Sequence, residues 1–508
     1  MLPEPYYETE NGKLYHGDCL DIMREMESDS VQCVVTSPPF WGLRDYGLPP
    51  QIWDGDPDCE HDFPEDHIKK LRTKPGVNAQ AGNTLREVAG RTKNEGAFCI
   101  KCHAWRGSLG LEPTPELYIQ HLLQIFREVR RVLRPDGTLW LNMGDSYAGS
   151  GRGRDADGVW NPGKGGSKQE TNKGSTIGRN VNAKSLSKNL IEKGAIGNAW
   201  VKPPMGFKAK DLIGIPWRLA LALQADGWWL RSDVIEYVEI YCPHCGWQLE
   251  ERIWRYSQDR DIIWAKPNPM PESVTDRPTK AHEYVFLMSK NAKYYYDAEA
   301  VREPQSENTI ARVKYDSLYR PGVKSIERTG KPMVGRPRIE GGGRNKRSVW
   351  TIATQPFPEA HFATFPEKLV IPCILAGTSE KGNCSVCGKP WVRVIEKVDT
   401  GKKQKMPDGM ATYSGDHGSI HRDGAEKGKS GIPIISNKTI GWQPSCSCNA
   451  DIVKPIVLDP FMGSATVAKV CEKYHRGWVG CELSEDYCKD IAVERIKREV
   501  AQYKLELT

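Results

Sequence analysis

Residues 457–470 read VLDPFMGSATVAKV, and this stretch decides the fold. A short apolar strand ends at Asp459-Pro460, a turn carrying Gly463 follows, and a helix begins directly behind it. Residues 477–496, GWVGCELSEDYCKDIAVERI, add a second strand and a second helix. Strand, glycine turn, helix, strand and helix make a nucleotide-binding half-fold, here placed at the C-terminal end of the chain. The glycine turn lets a ligand approach the backbone, and Glu482, closing the second strand, carries a carboxylate suited to ribose hydroxyls. A generic tight turn with a surface acid is the plainer reading, and the lack of a full G-x-G-x-x-G argues against a dinucleotide.

Working outward, VQCVVT at 31–36 is a β-branched run apolar enough for a buried parallel strand. It stops abruptly at Ser37-Pro38-Pro39, which cannot continue a ladder, so a strand delivers residues 36–40 to a sheet edge. Thr114, Pro115 and Glu116 give an N-cap, a first-turn proline and an early acid. Leu122, Phe126, Val129 and Leu133 then recur at helical spacing, and the helix is expected to stop at Pro135-Asp136-Gly137. TLWLNMGD at 138–145 reads as another buried strand, so strand, helix and strand argue for a parallel α/β sheet with flanking helices. A helix running into a strand is expected over 215–235, and 261–269 resumes a strand that an excursion at 236–260 interrupts.

The expected organisation follows. Residues 1–147 form a catalytic half with a cysteine-rich insertion at 53–107, and 148–210 a mobile basic insertion. Residues 211–297 continue the catalytic half, 298–347 form a low-periodicity region, and 348–508 form the ligand-binding half with a cysteine-rich insertion at 380–450.

Composition sets further bounds. A chain of 508 residues with 39% hydrophobic residues and 16 tryptophans can build a substantial core, while 48 glycines and 35 prolines imply many loops. No apolar run reaches the ~18 residues of a membrane span, and the N-terminus lacks a charged-then-apolar signal pattern, so a cytoplasmic protein is expected. Fifteen cysteines in a reducing compartment point to metal ligands before disulfides. The net charge of +6 is unevenly placed: residues 150–210 hold twelve Lys/Arg against four Asp/Glu, and 311–347 hold eleven against three. Basic loops on an acidic body suit a polyanion, because each cation placed on a phosphate releases counterions; solvated loops are the alternative.

Two segments carry chemistry. The Ser37 hydroxyl and the Pro38 carbonyl, on a turn stiffened by Pro38 and Pro39, offer two fixed acceptors to the hydrogens of an amino group. Phe40 beside them can stack on a base taken out of a duplex. Elsewhere such a string is usually a loop or an extended linker. Asp459, Pro460, Phe461, Gly463, Ser464 and Ala465 form the second segment, with Glu482 nearby in the fold.

Together, Val34-Val35-Thr36-Ser37-Pro38-Pro39-Phe40, HGDCLDIM at 16–23, RVLRPDGTLWLNMGDSY at 131–147, residues 264–290, HFATFPEKLVIPCILAGTS at 361–379 and the 457–470 turn resemble the amino-methylating DNA methyltransferases. The resemblance is to their permuted beta group, in which the catalytic tetrapeptide precedes the ligand loop. It implies a Rossmann-like, S-adenosylmethionine-dependent methyltransferase fold in circularly permuted order, acting on double-stranded DNA and accompanied by a cognate restriction endonuclease in a bacterial or phage setting. It implies Ser37, Pro38, Pro39 and Phe40 as the catalytic loop, Asp18 as an acceptor for the adenine of the cofactor, and Phe365 beside its methionine or adenine part. The serine form of the tetrapeptide is associated mainly with cytosine N4, whereas the Asp form is more typical of adenine N6, so cytosine is favoured. The region 298–347 is the expected target-recognition segment. Where the family usually has glycine this chain has Ala465, whose methyl group would narrow the cofactor's approach.

The remaining cysteines suggest zinc-knuckle-like insertions. Cys384-x-x-Cys387 and Cys446-x-Cys448 can close a tetrahedral structural zinc site. Cys99-x-x-Cys102 has a distant partner in Cys59-x-His61, giving a Cys3His set. Cys242 and Cys245 lack an evident second half. Cys19, Cys33, Cys373, Cys471, Cys481 and Cys488 sit among apolar neighbours as core residues. Pro372-Cys373 resembles the nucleophile of cytosine carbon-5 enzymes but lies in an apolar helical run, where a core cysteine is the better reading. Methylation of RNA or of a protein amide, and a non-catalytic zinc-containing DNA-binding protein, are the competing functions.

Overall fold

The computed structural model describes residues 2–42, 46–64, 97–148, 206–208, 210–231, 278–304, 343–354, 365–405 and 431–506, with short pieces of strand between 235 and 266. Most of the basic stretches 150–210 and 311–347, most of the expected recognition region, and Cys242 and Cys245 lie outside the described residues. The chain divides into two compact units. One comprises Met1–Tyr294, Ser348–Ile374 and Pro455–Thr508; the other comprises Tyr295–Arg347 and Leu375–Lys454.

The first unit is built on a ten-stranded sheet. In chain order its strands are β1 (Tyr7–Glu8), β2 (Gly12–His16), β3 (Val31–Thr36), β4 (Leu133–Met143), β5 (Trp229–Leu230), β6 (Ile262–Ala265), β7 (His282–Ser289), β8 (Val349–Thr351), β9 (Ile456–Asp459) and β10 (Gly477–Glu482). They lie in the order β1-β2-β10-β9-β3-β4-β7-β6-β8, and β5 pairs with β7 off this path. From β2 to β4 every neighbour is parallel. β7 runs antiparallel to both β4 and β6. The last two strands of the chain therefore fill the middle of the sheet, between two of the first three. Their apolar runs are what such a position requires, because a strand with helices on both faces buries both of its sides; Val457, Leu458, Cys33 and Val34 are all fully buried.

The flanking helices start where local chemistry satisfies their free N–H groups. The α1 helix (Cys19–Glu25) is capped by Asp18, and α2 (Pro115–Val132) by Thr114, whose Oγ1 accepts from the Leu117 N–H at 3.2 Å. The buried stripe of α2 is Tyr118, His121, Leu122, Ile125, Phe126 and Val129. Its end differs from the sequence expectation. Helix α2 stops at Val132, and Pro135-Asp136-Gly137 already lies inside β4, where the pairing with β3 shifts register between Val31 and Cys33. Parallel pairing to β3 captures this turn as an irregularity in the strand, with Gly137 packed so close to Leu133 and the Gln32 carbonyl that a Cβ would overlap both.

Helices α3 (Ile215–Ala225), α4 (Glu367–Gly377), α5 (Thr466–Lys473) and α6 (Val493–Glu506) follow. The excursion before β6 is seen as two antiparallel pairings, Ile235–Glu236 with Arg255–Tyr256 and Ile240–Tyr241 with Gln248–Leu249. Among the described residues no helix is long and apolar enough to cross a membrane.

The second unit contains a long antiparallel ribbon, Trp391–Lys405 with Gly431–Pro444, and a short one, Asn383–Cys384 with Ile452–Val453. Arg393, at the base of the long ribbon, donates to the buried Asp297 carboxylate at 3.0 Å.

Candidate active site

The pairing of β3 with β4 sets Thr36 opposite Leu141, which places Ser37, the next residue, beside Asn142. The Ser37 hydroxyl donates to Asn142 Oδ1 at 3.2 Å. Asn142 Nδ2 in turn donates to Glu283 Oε2 at 3.1 Å and to the Tyr284 carbonyl at 3.2 Å. Two acceptors at one end of the amide fix its orientation, so its oxygen is the atom that faces Ser37. A serine whose proton is committed to that oxygen keeps its lone pairs for an incoming donor. Glu283 is held by an ion pair with Lys266 across the β6–β7 pairing.

The rest of the loop is equally restrained. Pro38 is buried, and the Pro39 carbonyl accepts from Tyr118 Oη on α2 at 2.7 Å. The Phe40 ring lies over Gly144, where an added Cβ would sit 2.6 Å from Cε2. Glycine is needed at 144 for that approach.

On the other side of β3 lies β9, and Thr36 Oγ1 donates to Asp459 Oδ1 at 2.7 Å, joining β3 to the glycine turn. The same oxygen accepts from the Phe461 N–H at 3.1 Å, while Asp459 Oδ2 is buried without a partner among the described residues. Burial pushes the Asp459 carboxyl up to about 7. Gly463 has φ +51, and the space where a Cβ would stand is open, its nearest neighbour being the Phe461 carbonyl at 3.8 Å. Glu482 spans the turn: Oε2 accepts from the Gly463 N–H and Oε1 from the Ser484 N–H, each at 2.8 Å. Burial raises the Glu482 carboxyl too.

Each expected ligand residue can now be placed. Pro460 is buried and Phe461 half-buried at the mouth of the turn. Ser464 is tied to α6, because Arg495 Nη1 donates to its carbonyl at 2.8 Å and to its hydroxyl at 2.9 Å. Ala465 is buried with φ +60, a left-handed conformation that explains why glycine would be the easier residue there. Asp18 sits close in the fold, since the Gly17 N–H donates to the Glu482 carbonyl at 3.0 Å. Its own oxygens cap α1 through the Leu20 N–H at 2.8 Å and accept from Gln51, and burial raises its carboxyl. Phe365 is half-buried, two residues before α4. An open cradle at Gly463, a carboxylate bracing it from the next strand and an orphaned buried oxygen on Asp459 fit an adenosyl ligand.

The cysteine pairs converge as two clusters. The ligand atoms of Cys59, His61, Cys99 and Cys102 all lie within 4.8 Å of one another, as do those of Cys384, Cys387, Cys446 and Cys448. Backbone N–H groups of Cys387 and Val386 lower the Cys384 thiol, while its neighbours push the Cys446 and Cys448 thiols up, the mutual influence of thiols set close together. Four protein ligands leave no open position, so either set suits a structural zinc ion. The six expected core cysteines are buried. Cys373 is among them, with its thiol donating to the Leu369 carbonyl one turn back in α4 at 3.2 Å, which is where a core cysteine of a helix belongs.

Sequence reading did not single out Asn142, Glu283, Lys266 or Tyr118. Asn142 was visible only as one letter of an apolar strand; the strand pairing alone puts it beside Ser37.

The DNA methylase family N6_N4_Mtase matches residues 31–385 and 446–494. The Type II methyltransferase M.Cfr9I of Citrobacter freundii is 31% identical over 494 residues, covering 97% of this chain and 90% of its own. The Type II methyltransferase M.XycI of Xanthomonas campestris pv. cyanopsidis is 30% identical, covering 98% of this chain and 91% of its own. Among solved structures, the cytosine-N4-specific PvuII DNA methyltransferase aligns over 98% of this chain and 94% of its own at 13% identity, with a TM-score of 0.38. That likeness is too weak to assign a role to any residue.

Proposed function

The chain belongs to the DNA methylase family of amino-methyltransferases, and from that premise we propose that it moves a methyl group from S-adenosylmethionine to cytosine N4 of double-stranded DNA, with the base rotated out of the duplex. The observation that carries the reading is the hydrogen-bond order at Ser37, whose proton is given to Asn142 and whose lone pairs are left to accept.

When bound, S-adenosylmethionine would supply a methyl carbon on a sulfonium sulfur, open to direct displacement by the amino nitrogen without a covalent enzyme intermediate, the sulfur leaving as a neutral thioether and the methylated nitrogen releasing one of its protons to solvent. An exocyclic amino nitrogen is a poor nucleophile because its lone pair is delocalised into the ring. Ser37 Oγ and the Pro38 carbonyl accept its two hydrogens, which turns the lone pair out of conjugation and aims it. Asn142, fixed by Glu283 and Tyr284, keeps the serine in the accepting sense. Phe40 stacks on the flipped base.

On the ligand side, Glu482 holds the ribose hydroxyls, Asp459, Pro460, Phe461, Gly463, Ser464 and Ala465 form the cradle, Asp18 takes the adenine and Phe365 packs beside the methionine or adenine part. The serine form of the tetrapeptide supports cytosine over adenine. Cys384, Cys387, Cys446 and Cys448 hold a structural zinc ion in the second unit. The basic stretches within 150–210 and 298–347 supply phosphate contacts and target recognition, and a cognate restriction endonuclease is the partner this reading implies.

The test is to sequence modified DNA from cells expressing the chain. N4-methylcytosine at one fixed sequence context is expected, and absent from cells expressing Ser37→Ala. N6-methyladenine would overturn the base assignment, and unmodified DNA alongside methylated RNA or protein would overturn the substrate.

A further inference from the structure

The Cys3His cluster stands at the end of a continuous set of contacts that leads to the catalytic loop. Cys59 and His61 leave one strand of a three-residue ribbon, Gln51–Trp53, and Cys99 and Cys102 precede the other, Trp105–Gly107. Cys102 Sγ is 3.3 Å from His61 Nδ1, and the Asp62 N–H donates to Cys99 Sγ at 3.3 Å. A tetrahedral ion with ligand bonds of about 2.0–2.3 Å would hold its donors roughly 3.5–3.8 Å apart, close to what this cluster already shows. The turn out of the ribbon is moulded to the cluster: a Cβ at Gly55, φ +79, would stand 2.9 Å from Cys102 Sγ.

From the ribbon the contacts run inward. Trp53 and Trp105 both stack on the buried His121 ring, at 4.6 Å and 5.3 Å between centroids. His121 Nε2 meets Asp54 Oδ2 at 3.0 Å, and its Nδ1 meets the buried Glu112 Oε1 at 2.9 Å. Glu112 Oε2 accepts from the Gly110 N–H at 2.8 Å, and the Glu112 carbonyl accepts from Trp41 Nε1 at 3.0 Å. The Gly110 carbonyl accepts from the Gly42 N–H at 2.8 Å, and a Cβ at Gly110 would touch Pro39 and the Phe40 carbonyl. Residues 39–42, directly behind Ser37 and Pro38, are thus gripped from the ribbon side.

Three residues a side are too few for a ribbon to hold itself in water. His61 and Cys99 are far apart in the sequence, and bringing such distant residues together costs conformational entropy. An ion shared by both residues offsets that cost.

We propose that Cys59, His61, Cys99 and Cys102 hold a structural zinc ion that sets the position of the catalytic loop through Trp53, Trp105, Asp54, His121 and Glu112. The ion takes no part in the chemistry, and Glu112 and His121 are positioning residues. This inference rests on the methyltransferase reading for its kinetic part and on the cluster alone for its metal part.

The full chain, purified without added metal, is measured for zinc by mass spectrometry, for S-adenosylmethionine binding by calorimetry and for methyl transfer to DNA. The paired substitution Cys99→Ser with Cys102→Ser is expected to lose one equivalent of zinc relative to the parent. Glu112→Gln is expected to keep that zinc and its cofactor affinity while kcat falls roughly 10- to 100-fold, because the loop shifts by a fraction of an ångström to an ångström. Should the cysteine pair fail to fold, two equivalents of zinc in the parent, one for each four-residue cluster, carry the metal test, and a single equivalent that Cys384→Ser with Cys387→Ser removes completely overturns this site. Unchanged zinc in the paired variant, or a parent free of zinc at this cluster, overturns the metal site. Unchanged kcat in Glu112→Gln overturns the coupling. A parent that binds zinc but methylates no DNA sinks the function and leaves the metal site standing.

Discussion

Asp459→Asn perturbs a buried carboxyl that links β3 to the glycine turn. The Asp459 side chain is fully buried, and burial lifts its carboxyl from 3.8 to about 7. The unfolded chain releases this proton near its ordinary value, whereas the folded chain keeps it until near pH 7. Between those limits the unfolded state holds fewer protons, so stability falls as pH rises. Below about pH 4 both states are protonated and nothing is lost; above about pH 8, once the folded state has also released its proton, the full loss is present. Three units at roughly 1.4 kcal/mol each set a ceiling of roughly 4 kcal/mol.

Asparagine cannot ionise, and its oxygen keeps the bonds from Thr36 and Phe461. It places an NH2 group where Oδ2 has no partner, a cost of roughly 1–3 kcal/mol that is the same at every pH. The variant is therefore expected to be the weaker protein near pH 4 and to gain on its parent steadily up to about pH 8. Urea unfolding of both proteins across that range gives the difference, in which the titrating groups not coupled to Asp459 cancel; Glu482, Cys481 and Cys471 feel its charge. A difference that stays flat to within about 0.5 kcal/mol would refute the burial argument.

Three further outcomes follow from single contacts. Asn142→Ala removes the acceptor that orients Ser37 and is expected to lower kcat roughly 10- to 100-fold while cofactor affinity stays within about threefold; equal losses in both would show that Asn142 serves folding instead. Gly144→Ala drives a methyl group against Phe40 and should cost roughly 1–3 kcal/mol in chemical denaturation, with methyl transfer falling further than stability predicts. Ala465→Gly relieves roughly 1–2 kcal/mol of left-handed strain against roughly 0.5–1 kcal/mol of added chain freedom, so it is neutral or mildly stabilising, whereas Gly463→Ala destabilises and weakens cofactor binding. Thermal unfolding that ranked the two in the opposite order would refute the reading of this turn.

The sequence by itself determined whatever depends on near neighbours. Apolar runs such as 31–36 and 456–459 had to become strands buried on both faces, Thr114 and Pro115 had to start a helix, and Gly463 had to mark a turn, because each follows from the conformational limits of a few adjacent residues. The tetrapeptide at 37–40 and the spacing within each cysteine pair were legible for the same reason. Even here local reading had a limit, since Pro135-Asp136-Gly137 looks like a turn and was drawn into β4 by pairing with β3.

Only the tertiary structure decided what depends on sheet order and register. Thr36 meets Asp459 across 423 residues because β9 lies against β3. Asn142 meets Ser37 because β4 lies against β3, and the Cys59–His61 and Cys99–Cys102 pairs, already matched by their spacing in the sequence, are brought within 4.8 Å beside a three-residue ribbon. An asparagine or a threonine carries no mark of its partner. That partner is chosen when the whole sheet finds the one arrangement that buries its strands together, a property that no short stretch of the chain contains.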